Sequence, residues 1–309
     1  MRIAIVGAGA LGLYYGAMLQ RGGNDVRFLL RRDYDAIVAG GLRVFSTGGD
    51  FHLAHVAGFR RPEEIGEVDL VVVGLKAFAN DRYADLIAPL VGAETLILTL
   101  QNGLGNEEGL AALFGSARIL GGVAFLCSNR GAPGEVHHLG AGKILLGALL
   151  PGNGERAEPV AALFRSAGID CTAVPDLRKA RWEKLVWNIP FNGICAMTGR
   201  TVADLLGSDR SRWLARELMA EVIAAANAQG LSEPVADEFA DRMITFSAGL
   251  GAYRPSMMID REEGRPLELE AIFAVPLERG TAMGVPMPRV ETLLGLLTLA
   301  VQGPIGCDA

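Results

Sequence analysis

Arg2-Ile3-Ala4-Ile5-Val6-Gly7-Ala8-Gly9-Ala10-Leu11-Gly12 opens the chain with a β-branched apolar run, three glycines at GxGxxG spacing and the start of a helical pattern. The context is what makes the glycines informative. A strand that ends in this spacing and opens a helix is the arrangement that cradles the pyrophosphate of a dinucleotide. Gly7 permits the tight turn, Gly9 lets a phosphate approach the backbone, and Gly12 lets helix and strand pack closely. Ala8, Ala10 and Leu11 complete the turn, and the first N–H groups of the helix add donors and the positive end of its dipole. A glycine-rich turn with no ligand is the bland alternative.

Working outward, short β-branched runs at 3–6, 26–30, 68–75, 95–100, 119–126 and 169–174 alternate with helical patterns. That alternation predicts a parallel sheet covered by helices. The stretch 42–56, broken by Thr47-Gly48-Gly49-Asp50, reads as a local hairpin, and 136–147 as an antiparallel addition at the sheet edge. Beyond residue 177 leucine, alanine and methionine recur at helical spacing through 213–229, 235–249, 267–283 and 290–301. The expected architecture is an α/β Rossmann-type domain over 1–176 followed by an all-helical domain over 177–309, with 303–309 as a frayed tail.

Composition narrows the function classes. The chain has 309 residues, half of them hydrophobic, with 29 basic and 35 acidic side chains and a formal charge of −6. Such a balance gives no electrostatic footprint for nucleic acid, so an anionic ligand must be held by local positive charge. No apolar run reaches the roughly 18 residues of a membrane span. The four cysteines, Cys127, Cys171, Cys195 and Cys307, form no CxxC pair, and no histidine stands at metal-ligand spacing. The sequence therefore predicts neither a zinc site nor a disulfide framework. A chain that begins directly with a strand leaves no room for a cleavable signal, and a reducing cytoplasm is the expected compartment.

Where an NAD enzyme places Asp or Glu after the second strand, this chain has Leu30-Arg31-Arg32. A guanidinium matches the 2′-phosphate of NADP in charge and donor geometry, which predicts NADP(H), with Arg31 ahead of Arg32 as its ligand. The alternative is two solvated arginines flanking Asp33. Lys76 follows the apolar run 68–75, and Gln101-Asn102-Gly103 follows 95–100. A lysine at a strand end can serve a phosphate, a ribose or a substrate. An asparagine there can orient a nicotinamide or a substrate oxygen. A solvated lysine and an ordinary Asn-Gly turn are the plain alternatives.

Lys184, Asn188 and Asn192 recur every four positions in the aromatic segment from Trp182 to Asn192, which sets them on one helical face. One ammonium and two carboxamides in a stripe can donate to a ketone oxygen and hold its neighbours. Pro190 lies among them and predicts a kink. Ser256 and Glu268 form a second polar group. They would stand about 18 Å apart on one straight helix, but Gly264 and Pro266 between them signal a helix end and a new start that folds Glu268 back. The alternative is an N-cap serine and a first-turn glutamate.

Together these segments resemble the ketopantoate reductases over nearly the whole chain. The resemblance rests on the GxGxxG turn, Leu75-Lys76-Ala77, Gln101-Asn102-Gly103, the 121–147 stretch with Pro133-Gly134 and His138, Lys184 with Asn188 and Asn192, Ser256-Met257, and Gly264-Arg265-Pro266-Leu267-Glu268. It implies NADPH-dependent reduction of 2-dehydropantoate. It also implies Lys184 as general acid, substrate contacts at Asn102, Asn188, Asn192, Ser256 and Glu268, and a cofactor or active-site role for Lys76. The chain departs from the family pattern after Glu268, where Leu269-Glu270-Ala271-Ile272-Phe273-Ala274 carries no Asn-Gly pair. A reductase of another branched 2-oxo acid and a non-catalytic NADP-binding sensor are the competing readings. The β-hydroxyacid dehydrogenases share a lysine-asparagine helix but not the Ser256 and Glu268 context. The apolar helix at 293–301 can seal a homodimer or complete a core.

Overall fold

The computed structural model describes residues 1–150 and 154–301, so the tail at 303–309 lies outside the described residues. The chain separates into two compact units, one of Met1–Gln101 with Asn106–Leu177, the other of Asn102–Gly105 with the chain from Arg178 on.

The first unit is a Rossmann-type α/β layer. Its strands are β1 (Arg2–Val6), β2 (Asp25–Leu29), β3 (Leu42–Ser46), β4 (Phe51–Leu53), β5 (Ala57–Phe59), β6 (Val68–Val73), β7 (Val91–Thr99), β8 (Ile119–Arg130), β9 (Glu135–Ala148) and β10 (Cys171–Ala173). They form one sheet in the order β4-β3-β9-β8-β7-β6-β1-β2-β5, with β10 also paired to β9. Its helices are α1 (Ala10–Arg21), α2 (Tyr34–Gly40), α3 (Tyr83–Ile87), α4 (Asn106–Phe114) and α5 (Ala157–Ser166). The central strands are buried on both faces, which is why they read as continuous apolar runs. Ile3 and Ile5 pack with Leu13, Tyr15 and Ala17 of α1, whereas Ala4 and Val6 share a cluster with Tyr83, Ile87 and Leu110.

One sequence expectation needs correction at this sheet. Strand β9 does run antiparallel to β8, but it is not at the edge. It is long enough for its first part to pair with β3 and its later part with β10. The 42–56 hairpin is present as expected, with β4 antiparallel to β3, and its β3 strand also joins the main sheet parallel to β9. Strand β5, parallel to β2, is too short to have shown a pattern in the sequence.

The second unit is helical: α6 (Leu177–Thr198), α7 (Val202–Leu206), α8 (Asp209–Asn227), α9 (Glu238–Ala248), α10 (Ser256–Glu262), a π-helical turn at Glu270–Ala274, α11 (Val275–Ala282) and α12 (Pro288–Val301). Trp182, Leu185, Val186, Ile189 and Phe191 of α6 are buried in one cluster with Leu218, Met219 and Val222 of α8. The Glu221 carboxylate of α8 accepts from the backbone N–H groups of Arg289 and Val290, satisfying donors that the start of α12 would otherwise orphan. No helix among the described residues is long and apolar enough to cross a membrane.

The Asn102–Gly105 turn packs against the π-helical segment through a bond from Leu104 N to the Ala271 carbonyl, 2.9 Å. Gly103 adopts φ 84°, and a Cβ there would fall 2.2 Å from that same carbonyl oxygen. A Gly103→Ala variant combines left-handed strain with overpacking. Its expected loss is about 2–5 kcal/mol of unfolding free energy, read by denaturant titration; an unchanged midpoint would show that the turn does not dock as described.

Candidate active site

At the glycine turn, two of the three glycines are required by the protein's own packing and the third is not. A Cβ on Gly7, whose φ is 99°, would lie 2.3 Å from Leu75 N, and one on Gly12 would lie 2.2 Å from the Gly7 carbonyl oxygen. Gly9 faces no atom within 4 Å. Open space over a backbone that carries no side chain is what a closely approaching phosphate requires. Gly9 also caps α1 without a side-chain bond, and the first turn holds no acidic residue, so the helix N-terminus keeps its donors and its positive field. These residues fit a dinucleotide. His138, by contrast, supports α1: its ring stacks on Tyr14 with centroids 4.3 Å apart and bonds Ser46 Oγ at 2.8 Å.

The carboxyl ends of β2 and β5 are rich in charge, and nearly all of it is already paired. Asp35 bonds Arg60 at 2.7 Å and Glu64 bonds Arg61 at 3.2 Å. Buried Asp33 accepts from Arg130, the last residue of β8. Arg31 and Arg32 are exposed just past β2 and form no ion pair among the described residues. They are the surplus positive charge of this edge. Lys76 follows β6, the neighbour of β1, and precedes a 3-10 segment at Ala77–Arg82.

The Gln101-Asn102 turn is held by a buried polar network. The Gln101 side-chain oxygen accepts from the Tyr83 hydroxyl at 2.5 Å and from Thr99 Oγ1 at 2.9 Å. Its Nε2 donates to Asn80 Oδ1 at 2.8 Å, and Asn80 Nδ2 donates to Asn106 Oδ1 at 2.9 Å. Gln101, Asn80 and Asn106 are thus bonded in series, so the strand end leading into Asn102 is stiff.

Helix α6 runs through Pro190 to Thr198, and its polar face carries Lys184, Asn188 and Asn192 as the spacing predicts. Lys184 Nζ donates to Asn102 Oδ1 at 2.7 Å. Burial of the amine, reinforced by the neighbouring Arg181 charge and opposed by Glu268, lowers its pKa to about 7. Asn188, 4% exposed, lies on the same face one turn from Lys184. Asn192 Oδ1 accepts from Met257 N at 3.1 Å and from Ser256 Oγ at 3.4 Å, leaving its Nδ2 to donate elsewhere.

Ser256 is the first residue of α10, with Pro255 at the cap position, so its hydroxyl is not an N-cap. The helix ends at Glu262, Gly264 turns with φ 67°, and the carbonyl of Glu268 accepts the first bond of the next helical run, from Ile272 N. This return carries the buried Glu268 carboxylate into the field of Lys184. The Asp260 carboxylate bonds Arg265 at 2.8 Å and fixes the turn between them. Arg181 and the Gln101 network are the parts of the site that sequence reading missed. Arg181 stands at the helical i−3 position from Lys184, a signal that helix spacing alone could have raised. Thiol chemistry is excluded at Cys171 and Cys195, whose pKa values burial pushes to about 12.

Known proteins carry the same plan. The family described as "Ketopantoate reductase PanE/ApbA" matches residues 3–151, and its C-terminal counterpart matches residues 176–301. A 2-dehydropantoate 2-reductase of Nostoc sp. is 40% identical over 297 residues, which is 94% of this chain and 92% of the relative. The crystal structure of a 2-dehydropantoate 2-reductase from Geobacter metallireducens is similar at 65% identity and TM-score 0.96, covering 97% of this chain and all of that one. Another, from Methylococcus capsulatus, stands at 31% identity and TM-score 0.87, with 97% and 96% covered. Both halves of the chain thus match one family in order and nearly end to end, and the chain belongs to the ketopantoate reductases.

Proposed function

We propose that this protein reduces 2-dehydropantoate to pantoate with NADPH, the reduction that serves pantothenate and coenzyme A synthesis. The observation that carries the reading is the Lys184 ammonium, bonded to Asn102, desolvated to a pKa of about 7 and set in the field of Glu268. The nicotinamide cofactor supplies the hydride. As negative charge develops on the ketone oxygen, Lys184 stabilises it and then gives up its proton, becoming a neutral amine that solvent reprotonates. Asn102 holds the amine in place. Glu268 accepts from the substrate hydroxyl, Ser256 donates to its carboxylate, and Asn188 and the Nδ2 of Asn192 supply further donors.

Gly7, Ala8, Gly9, Ala10, Leu11 and Gly12 hold the pyrophosphate in this reading, with Arg31 on the 2′-phosphate and Lys76 and Asn102 beside the cofactor. The unpaired state of Arg31 and Arg32 favours NADPH over NADH. A second reading, reduction of another branched 2-oxo acid, is favoured by one feature: a π-helical turn follows Glu268 where the family pattern has Asn-Gly. A panel of 2-oxo acids with NADPH separates the two and also excludes a non-catalytic sensor if any is turned over. The proposed compartment is a reducing cytoplasm, consistent with the free thiols of Cys127, Cys171 and Cys195. The exposed Leu296, Leu299 and Val301 of α12 are the proposed face of a homodimer, which sedimentation tests.

Lys184→Ala is expected to cut kcat by about a hundredfold to ten-thousandfold while NADPH still binds. In the parent, reduction needs the protonated amine, so its rate is level below pH 7 and falls tenfold per unit above about 7. A folded variant with near-parental kcat, or a rate level through pH 9, would remove Lys184 from the mechanism. Glu268→Gln should lower kcat/KM more than about tenfold for every accepted substrate, because a hydrogen bond to a charged group is lost; a change within about twofold sinks that contact. Arg31→Ala should raise KM for NADPH about tenfold or more and leave NADH nearly untouched. Equal effects on both cofactors would contradict its role.

A further inference from the structure

Asp33 occupies an unusual position for a carboxylate. It lies inside the turn closed by the Tyr34 N–H on the Arg31 carbonyl, and it stands at the cap position of α2. An aspartate there ordinarily accepts from the helix's own first N–H groups. This one makes no cap bond. Its Oδ2 is taken instead by Arg130, 97 residues away. The arginine arrives because the tip joining β8 to β9 sits on the end of α2: the Gly134 carbonyl accepts from Arg43 N at 2.9 Å, and a Cβ on Gly134 would lie 3.8 Å from the Ala36 Cβ. Asp33 is 4% exposed and the Arg130 side chain 27%, so solvent ions screen the pair weakly.

Left unpaired, that carboxylate would have two effects on the turn that presents Arg31. It would draw the guanidinium onto itself and repel a phosphate dianion, and it would offer ribose hydroxyls the acceptor that NAD enzymes place near this strand end. The other acids nearby, Asp35 and Glu64, are already paired with Arg60 and Arg61. Asp33 is the one carboxylate of the Arg31 turn itself. We infer that Arg130 is a cofactor-selecting residue that acts through Asp33: by neutralising this carboxylate it keeps the Arg31 turn net positive, so the turn takes a 2′-phosphate rather than a ribose diol. Arg130 is thus a positioning residue and needs no contact with the cofactor. The inference rests on the NADPH reading above.

The test is calorimetric titration of NADPH and of NADH, without substrate, into the parent, Arg130→Met, Asp33→Asn and the double variant, each checked for folding by circular dichroism. Arg130→Met should weaken NADPH about tenfold or more and change NADH less than about threefold. The double variant, with both charges gone, should return NADPH to within about threefold of the parent, and Asp33→Asn alone should keep the NADPH preference. Equal losses for both cofactors in Arg130→Met, or a double variant that stays weak, would overturn the assignment. If Arg130→Met alone does not fold, the double variant decides: retained selectivity supports the inference and lost selectivity overturns it. A parent that itself prefers NADH sinks the cofactor reading and this inference with it. A parent that prefers NADPH, with a folded Arg130→Met that shows no selective change, sinks the inference alone.

Discussion

An ammonium kept from water must find its solvation inside the protein, and the hydrogen bond from Lys184 Nζ to Asn102 Oδ1 is where this one finds it. Much of the second unit follows from that need. Asn102 sits in a turn that leaves the sheet and packs with the helices, closed by Leu104 on the Ala271 carbonyl. Gly103 is the only residue type that fits beside that carbonyl at φ 84°. Upstream, the Gln101 carboxamide is anchored by Tyr83, Thr99 and Asn80. The acceptor that lets Lys184 stay charged near neutral pH is therefore held from both sides. Desolvation alone would drive the amine neutral, and Arg181 pushes the same way. The Glu268 carboxylate opposes both, and the balance near 7 is what a proton donor needs.

Charge balance governs the other end of the chemistry by a different route. Around the edge formed by β2 and β5, nature has matched carboxylates to arginines one by one: Asp33 to Arg130, Asp35 to Arg60, Glu64 to Arg61. The exposed pairs among these contribute little to stability. They leave Arg31 and Arg32 as exposed cations of this edge with no ion pair among the described residues. Net charge of the whole chain is negative, so the attraction for a phosphate has to be local, and it is made local by pairing off its rivals.

What the sequence made legible is what is periodic or contiguous. The strand-glycine-helix opening, the four-residue recurrence of Lys184, Asn188 and Asn192, and the change of texture near residue 177 each repeat on the length scale of one element, and each is found in the structure. Register across the sheet was not legible. Strand β9 reads as an edge addition because nothing local reveals that β3, some ninety residues earlier, returns to cover it. Short strands such as β5 hold too few residues to display a period. Among site residues, Lys184 announced itself as a polar break in an aromatic helix. Arg130, Tyr83 and Asn80 did not, because their roles exist only through partners distant in the chain.

The segment after Glu268 joins these threads. The backbone there winds as a π-helical turn, Glu270–Ala274, rather than an α-helix. A π-turn inserts a residue into the helical ladder, and such insertions gather at functional sites. Here the turn carries the Ala271 carbonyl that closes the Asn102 loop, and it begins two residues after Glu268, whose carboxylate acts on the Lys184 charge. One stretch of backbone therefore both closes the loop that carries Asn102, the acceptor of the Lys184 ammonium, and follows the buried Glu268 carboxylate. A substitution within Leu269–Ala274 therefore acts on the Asn102 loop through the Ala271 carbonyl and not on the Asp260–Arg265 pair, which fixes the turn that precedes Glu268.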